Sequence, residues 1–443
     1  MMQNNDIIVA PATALGGAIA VIRTSGEGSI ALCDHIFKGR TSLSKASSHT
    51  IHYGTICDGE RVVDDVVVAV FRAPHSYTGE ESVEISIHGS RYVAQEVIRL
   101  LCEGGARMAE AGEFSQRALA SGRIDLSQAE AVADLITAES RAAHAVASTQ
   151  MRGGYSEQLE TLREEMLNIT TLLELELDFS EEDVEFADRA RLRSMLAHTD
   201  GVVERLMESF RIGNAIREGV AVAIVGCPNV GKSTLLNRLV GDDRAMVSDI
   251  AGTTRDTIEE SVVIEDIRFR FVDTAGLHDT DDRLEKMGIE RTERAIRQAQ
   301  IILYVTEPLQ REFALPTLHD GQILLHVVNK MDTTDKRDRA DAIYISAREG
   351  EGIDTLRKAL RATIDTEGLY RGEVVVSNMR HFEALSRAHG SLQAALSALD
   401  MGVSEELLSE DIRSAINALA EITGKITSDD ILKSVFSRFC IGK

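Results

Sequence analysis

The stretch GCPNVGKST, residues 226 to 234, constrains this chain more than any other. It fits G-x-x-x-x-G-K-[ST], it follows the apolar run VAVAIVG, and it precedes the helical LLNRLV. That context of buried strand, glycine loop and helix is the one the motif requires. The glycines let backbone N–H groups wrap phosphates at a helix N-terminus. Asn229, Val230, Gly231, Lys232, Ser233 and Thr234 are the candidate phosphate contacts. Lys232 is placed to pair with β- and γ-phosphates, and Ser233 to ligate Mg²⁺. Taken alone, the motif has a second reading as a chance glycine-rich turn.

Three later segments narrow the ligand to a guanine nucleotide. DTAG follows the apolar IRFRFV, so Asp273 can hold Mg²⁺ through water, the Gly276 N–H can meet a γ-phosphate, and Thr274 and Ala275 complete the turn. NKMD follows ILLHVV and supplies Asn329, Lys330 and Asp332. A carboxylate at Asp332 accepts from guanine N1–H and the 2-amino group, and adenine has neither donor. ISAREG follows a further strand and can close over the base through Ser346, Ala347 and Arg348. Between the first two motifs lies SDIAGTTRD. There Ser248, Asp249, Ile250, Ala251, Gly252, Thr253 and Thr254 form a candidate switch loop that orders when a γ-phosphate is present. Thr254 is the favoured Mg²⁺ ligand and Thr253 the alternative. Over residues 218 to 365 the chain resembles translation-factor-like GTPases. Leu277 stands after DTAG, where Ras-type GTPases keep a glutamine that orients water. Another group must then position the water. Glu285 is the acidic candidate in that region, with a solvated helix face as its bland reading.

The rest of the chain is organised around that domain. Its 443 residues exceed one ordinary core. Residues 1 to about 120 read as short β-branched strands with one helix, RYVAQEVIRLLCEGG. From about 124 to 217, and again from about 376, apolar residues recur at helical spacing. The expected class is multidomain: an N-terminal α+β domain (1–121), a discontinuous helical domain (122–217 and 376–443), and a Ras-like P-loop domain inserted between its halves (218–375). A net charge of −23 argues against a broadly basic nucleic-acid binder. Five scattered cysteines without a CxxC pair suit a reduced, cytoplasmic protein. The N-terminal segment has no basic stretch before an apolar core, and no run of 18 apolar residues appears, so neither a signal peptide nor a membrane span is expected. The terminal CIGK is not a prenylation box, since Gly442 breaks the aliphatic pattern.

PNVGKSTLLN, DIAGTTRD, DTAGLHDTDDRLEKMGIERT, GEFSQRALASGRIDLSQAEAVADLI and ITSDDILKSVFSRFCIGK lie in all three regions. Together they resemble the tRNA-modification GTPase family, MnmE, also called TrmE. The resemblance implies an N-terminal domain that binds folate and forms a homodimer. It implies a flavoprotein partner, MnmG (GidA), which carries FAD and NADH and joins in a heterotetramer or larger complex. Together they add an aminomethyl-type group to C5 of the wobble uridine of certain tRNAs, with carbon from a 5-formyl- or methylene-tetrahydrofolate donor. It also implies a K⁺ ion held by Asn229, Ser248, Ile250 and Thr253, where a cation neutralises phosphate charge. Glu285 falls on the family's water-orienting acid. Arg23, Glu84, Arg123 and Lys443 fall on folate-binding positions, with Arg123 where some members carry Lys. Cys440 is either a thiol close to the transferred carbon or a small hydrophobe anchoring the last helix. The competing functions are a ribosome-assembly GTPase, for which neither a GXXG KH loop nor a second P-loop is found, and a membrane-associated switch, for which no lipid anchor or basic amphipathic helix is found.

Overall fold

The computed structural model describes residues 6–178, 189–241, 260–272, 293–308, 317–334, 337, 339–366, 369, 371–403, 405–437, 439 and 442. In chain order the first elements are β1 (Ile8–Pro11), β2 (Ile19–Ser25), α1 (Ser29–Ile36), β3 (Phe37–Gly39), β4 (Thr50–Asp58), β5 (Arg61–Phe71) and β6 (Ser82–His88). Then come α2 (Arg91–Glu103), β7 (Arg107–Met108), α3 (Glu113–Ala120), α4 (Leu126–Thr137), α5 (Arg141–Met151), α6 (Gly154–Asp178) and α7 (Arg189–Glu218). The α/β region holds β8 (Val220–Gly226), α8 (Lys232–Gly241), β9 (Glu260–Ile264), β10 (Ile267–Phe271), β11 (Ile301–Thr306), β12 (Ile323–Val328), β13 (Ile343–Tyr344) and α9 (Ile353–Ala362). Last are α10 (Met379–Asp400), α11 (Glu405–Thr423) and α12 (Asp429–Phe436). Among the described residues no helix is long and apolar enough to cross a membrane.

Two compact units result. The first gathers Met1–Ala133, Met151–Arg163 and Ile416–Lys443. Its seven-stranded sheet runs β3-β4-β5-β6-β2-β1-β7. Period-2 alternation sends Ala20, Ile22, Val66, Val68, Val70, Val83, Ile85 and Ile87 to a face covered by α1 and α2. On the opposite face the antiparallel register lines up Ile51, Ala69, Glu84 and Arg23 in one row. The next row holds Tyr53, Val67, Ser86 and Val21. Ile51 is 73% and Tyr53 70% exposed there. Beside this sheet, Phe436 and Phe439 join Leu126 and Ala129 in a smaller core. Gly112, at φ 72°, caps α3 where a Cβ would come 3.1 Å from Phe436.

The second unit gathers Asp134–Gln150 and Glu164–Ala415. Its six-stranded sheet runs β13-β12-β11-β8-β10-β9 and is parallel except for the β9–β10 hairpin. β8, β10, β11 and their helices bury one aliphatic core, in which Ala142 and Val146 of α5 take part. At the hairpin turn Glu265 and Asp266 both have positive φ, and the Ala142 N–H donates to the Asp266 carbonyl at 3.2 Å. α7 runs directly into β8, and α10 returns beside it. Between those helices Asp200, 5% exposed, meets His389 Nδ1 at 2.7 Å. Where the chain leaves the α/β domain, Gly213 of α7 lies so near Val376 that a Cβ would fall 2.1 Å from its carbonyl oxygen. Ser209 accepts from the Val376 N–H at 3.0 Å, and Gln150 donates to the Val375 carbonyl at 2.9 Å.

Candidate functional sites

In the second unit the loop between β8 and α8 is built as the motif predicts. Gly226 has φ 152° and a Cβ there would sit 2.2 Å from the Val305 carbonyl, so only glycine fits. Gly231 has φ 92°, and its Cβ would sit 2.4 Å from Asn329 Nδ2. Between them Asn229 takes φ 65°, the left-handed conformation found in anion-binding nests of backbone N–H groups. Lys232 opens α8, and its ammonium donates to the Gly226 and Cys227 carbonyls at 3.0 and 2.8 Å. Burial lowers its pKa from the ordinary lysine value. A phosphate beside it offsets that burial by pairing with the charged form. Ser233 is the second residue of α8, the place a Mg²⁺-ligating hydroxyl takes in this motif. Asn229, the described member of the proposed K⁺ set, lies in the same turn. Donor types and positions thus fit a Mg²⁺-bound triphosphate.

The base side is tied to that loop through Asn329, which is 2% exposed. Its Nδ2 donates to the Val230 carbonyl at 2.8 Å, and its Oδ1 accepts from the Ala347 N–H at 2.9 Å. Lys330 takes φ 65° and pairs with Glu307. Asp332 is exposed, and its Oδ1 accepts from the fully buried Ser346 hydroxyl at 2.8 Å. That bond restrains the carboxylate and leaves acceptor lone pairs on both oxygens for a base. Arg348 is 82% exposed.

In the first unit Arg23 and Glu84 face each other across β2 and β6. Arg23 donates through Nε and Nη2 to Glu84 Oε1, at 2.9 and 2.7 Å. The Tyr77 and Phe114 ring centroids each lie 5.8 Å from the guanidinium carbon, a cation–π arrangement on two rings. Arg23 Nη1 also reaches the Gly442 carbonyl at 3.5 Å. Gly442 has φ 101°, and a Cβ there would meet the Pro11 carbonyl at 2.1 Å. Gly442 thus lies against the end of β1 at a point where no side chain would fit. Arg123 is exposed, and its stem packs on Gly79, where a Cβ would be 3.3 Å away. Behind the site, the Tyr77 hydroxyl shares a 2.8 Å hydrogen bond with buried Ser115. Arg117, 8% exposed, bonds Asp6, Glu80 and Glu113. Burial alone would raise the Glu113 carboxyl, but bonds from Arg107, the Glu110 N–H and Arg117 hold it below the usual range. A carboxylate and guanidinium beside two aromatic rings suit a flat heterocycle bearing N–H donors and a carboxylate tail.

The chain is 45% identical to the tRNA modification GTPase MnmE of Bacteroides thetaiotaomicron and 46% identical to those of Bacteroides fragilis and Flavobacterium johnsoniae, each time covering 100% of both chains. The chain belongs to the MnmE family. Family models agree: one described as the GTP-binding protein TrmE N-terminus matches residues 7–123, and one described as the MnmE helical domain matches residues 126–440. An MnmE chain therefore has a TrmE N-terminal domain, a helical domain and a P-loop GTPase fold, and it is a GTP hydrolase by class.

Several candidate residues lie outside the described ones: Ser248, Asp249, Ile250, Ala251, Gly252, Thr253, Thr254, Asp273, Thr274, Ala275, Gly276, Leu277, Glu285, Cys440 and Lys443. Of the remaining folate candidates, Arg23 and Glu84 meet directly, while Arg123 touches the loop that carries Tyr77. Tyr77 and Phe114 were not among the sequence candidates. An aromatic in the turn-rich SYTGE was their one available signal, and nothing in its spacing points at Arg23.

Proposed function

We propose that this chain is a K⁺- and Mg²⁺-dependent GTPase that works as a homodimer with a flavoprotein partner in the cytoplasm. Together they add a C5 aminomethyl-type group to the wobble uridine of certain tRNAs, using a tetrahydrofolate one-carbon donor. The observation that carries the GTP half is the chain of bonds from Val230 through Asn329 to Ala347, with Ser346 holding Asp332. It makes the phosphate loop and the guanine reader one framework. Lys232 and the N–H groups of residues 229–232 bind phosphates, Asp332 selects guanine, and Glu285 orients water in place of the glutamine absent at Leu277. Mg²⁺ on Ser233 and Thr254, and K⁺ on Asn229, Ser248, Ile250 and Thr253, supply positive charge to the phosphates.

The folate half draws support from Arg23 and Glu84 between Tyr77 and Phe114, with Arg123 and Lys443 as further carboxylate partners. Cys440, two residues before the docked Gly442, is placed by sequence near the same ligand. The homodimer draws support from exposed Ile51 and Tyr53 in neighbouring rows of one face, the first of which continues into Glu84 and Arg23. A second copy covering that face would also border the folate ligand. FAD and NADH belong to the partner, which also supplies positive surface for tRNA to this acidic chain.

The test is mass analysis of wobble uridines in tRNA from cells with and without this protein. Loss of the C5 group is the expected result. Unaltered uridines with accumulating ribosomal precursors would replace this reading with the ribosome-assembly one. In the purified protein, equal GTP turnover in K⁺ and Na⁺ would remove potassium from it.

A further inference from the structure

α8 does more than present the phosphate loop. Near its end Arg238 donates through Nη2 to the Glu349 carbonyl at 3.4 Å. A Cβ built on Gly350 would fall 2.2 Å from that Nη2 and 3.1 Å from Cζ, so the guanidinium rests against the bare glycine. Gly350 itself has φ 85°. Among the described residues no carboxylate pairs with Arg238. The segment it touches is a closed turn. The Ser346 N–H donates to the Glu351 carbonyl at 2.9 Å and the Gly350 N–H to the Ser346 carbonyl at 2.8 Å. The Glu349 N–H donates to Ser346 Oγ at 3.2 Å. Ser346 is also the residue that holds Asp332. A displacement at Glu349 and Gly350 therefore passes through two bonds to the guanine-reading carboxylate. From the other side, Arg357 of α9 donates to the Leu239 carbonyl of α8 at 3.2 Å.

We propose that Arg238 is a positioning residue for the guanine nucleotide, holding the Ser346–Gly350 turn against the phosphate-loop helix and so setting how long GDP stays bound. The inference rests on the reading that guanine nucleotide occupies this site. Arg238 touches neither base nor phosphate. Its effect falls on affinity and release, because what it contacts is the turn that supports the base-reading carboxylate. Lysine keeps a donor for the Glu349 carbonyl but has no planar group to lie along Gly350, so Arg238→Lys is expected to recover part of the function.

The experiment is stopped-flow release of a fluorescent GDP analogue, with steady-state GTP turnover and thermal melting of the nucleotide-free full-length protein. Arg238→Ala is expected to release the analogue about two- to tenfold faster, the range of one long, solvent-exposed hydrogen bond and its packing. KM for GTP is expected to rise by a similar factor, with kcat at saturation and the melting temperature unchanged. Arg238→Lys is expected between the two. Unchanged release would overturn the proposal, and so would faster release accompanied by an equal loss of kcat and a lower melting temperature. Should Arg238→Ala fail to fold, Arg238→Met keeps the stem without a donor; release about twofold or more faster is expected, and unchanged release overturns the proposal. If the unsubstituted protein does not bind the analogue at all, the GTP reading fails rather than this one.

Discussion

The guanine end of the second unit and the Arg23 face of the first hold their groups by opposite means. In the candidate nucleotide site the groups are close in sequence and held largely by backbone: residues 226–232 form one turn, and residues 329–332 and 346–350 two more. Around Arg23 every group but one is a side chain, and each comes from a different element. Arg23 comes from β2, Glu84 from β6, Phe114 from α3, Tyr77 from a loop, and the Gly442 carbonyl from the end of the chain. A backbone-built site survives most side-chain exchanges but fails if a glycine or the base-reading carboxylate changes. A side-chain site assembled from five places depends on the whole unit being folded.

The sharpest separation of the two regions comes from Asp332→Asn. It is expected to weaken GTP binding by about 1.5–3 kcal/mol, the worth of a charge-assisted hydrogen bond, while xanthosine triphosphate gains because the amide offers a donor to its 2-oxo group. Folate binding is the internal control and is expected to stay put. Equal GTP affinity in the two proteins would break the assignment of Asp332.

Next in size is Arg23→Ala. It leaves Glu84 without its partner and removes the cation between two rings, and a loss of about 1–2 kcal/mol in binding of a tetrahydrofolate is expected. Calorimetry with 5-formyl-tetrahydrofolate measures it, alongside GTP turnover. Full folate affinity would mean that the ring-lined arginine is structural. Falling GTP turnover would mean that the two regions are less separate than their construction implies.

The smallest effect is acid sensitivity. The Asp6 and Glu113 carboxyls are both held low: burial opposes this in each, and bonds from Arg107 and Arg117 prevail. A carboxyl with a lowered native pKa contributes stability above its unfolded value and loses it as pH falls through the native one. The window therefore lies below about pH 4.5, the unfolded value for glutamate. Hydrogen exchange between pH 5 and 3 is expected to show α3 losing protection before α8 and α9. Simultaneous loss would contradict the role given to the Arg117 network.

The same contrast explains what was legible beforehand. The phosphate loop, NKMD and ISAREG were readable because a contiguous turn leaves contiguous residues. β1, β2, β4, β5, β6 and α2 were readable from alternation and periodicity, while the short β3, β7 and α1 were not. α3 was not, since its inward side carries Glu113, Ser115 and Arg117, all buried, where a periodicity reading looks for apolar residues. Arg238 was invisible for another reason: on a helix, an arginine that braces a distant turn looks like any solvated one. Gly442 was visible as an oddity, but its reason, the Pro11 carbonyl, lies at the other end of the chain.

The participation of α5 in the core of the second unit has a consequence for how this protein is made. Ala142 and Val146 share that core with Ile353, Leu356 and Leu360 of α9. Translation proceeds at ~5–20 residues per second, so α5 leaves the ribosome on the order of ten seconds or more before α9 exists. During that interval the core that α5 joins is incomplete, so its apolar residues Ala142 and Val146 reach their full native surroundings only after α9 has been made.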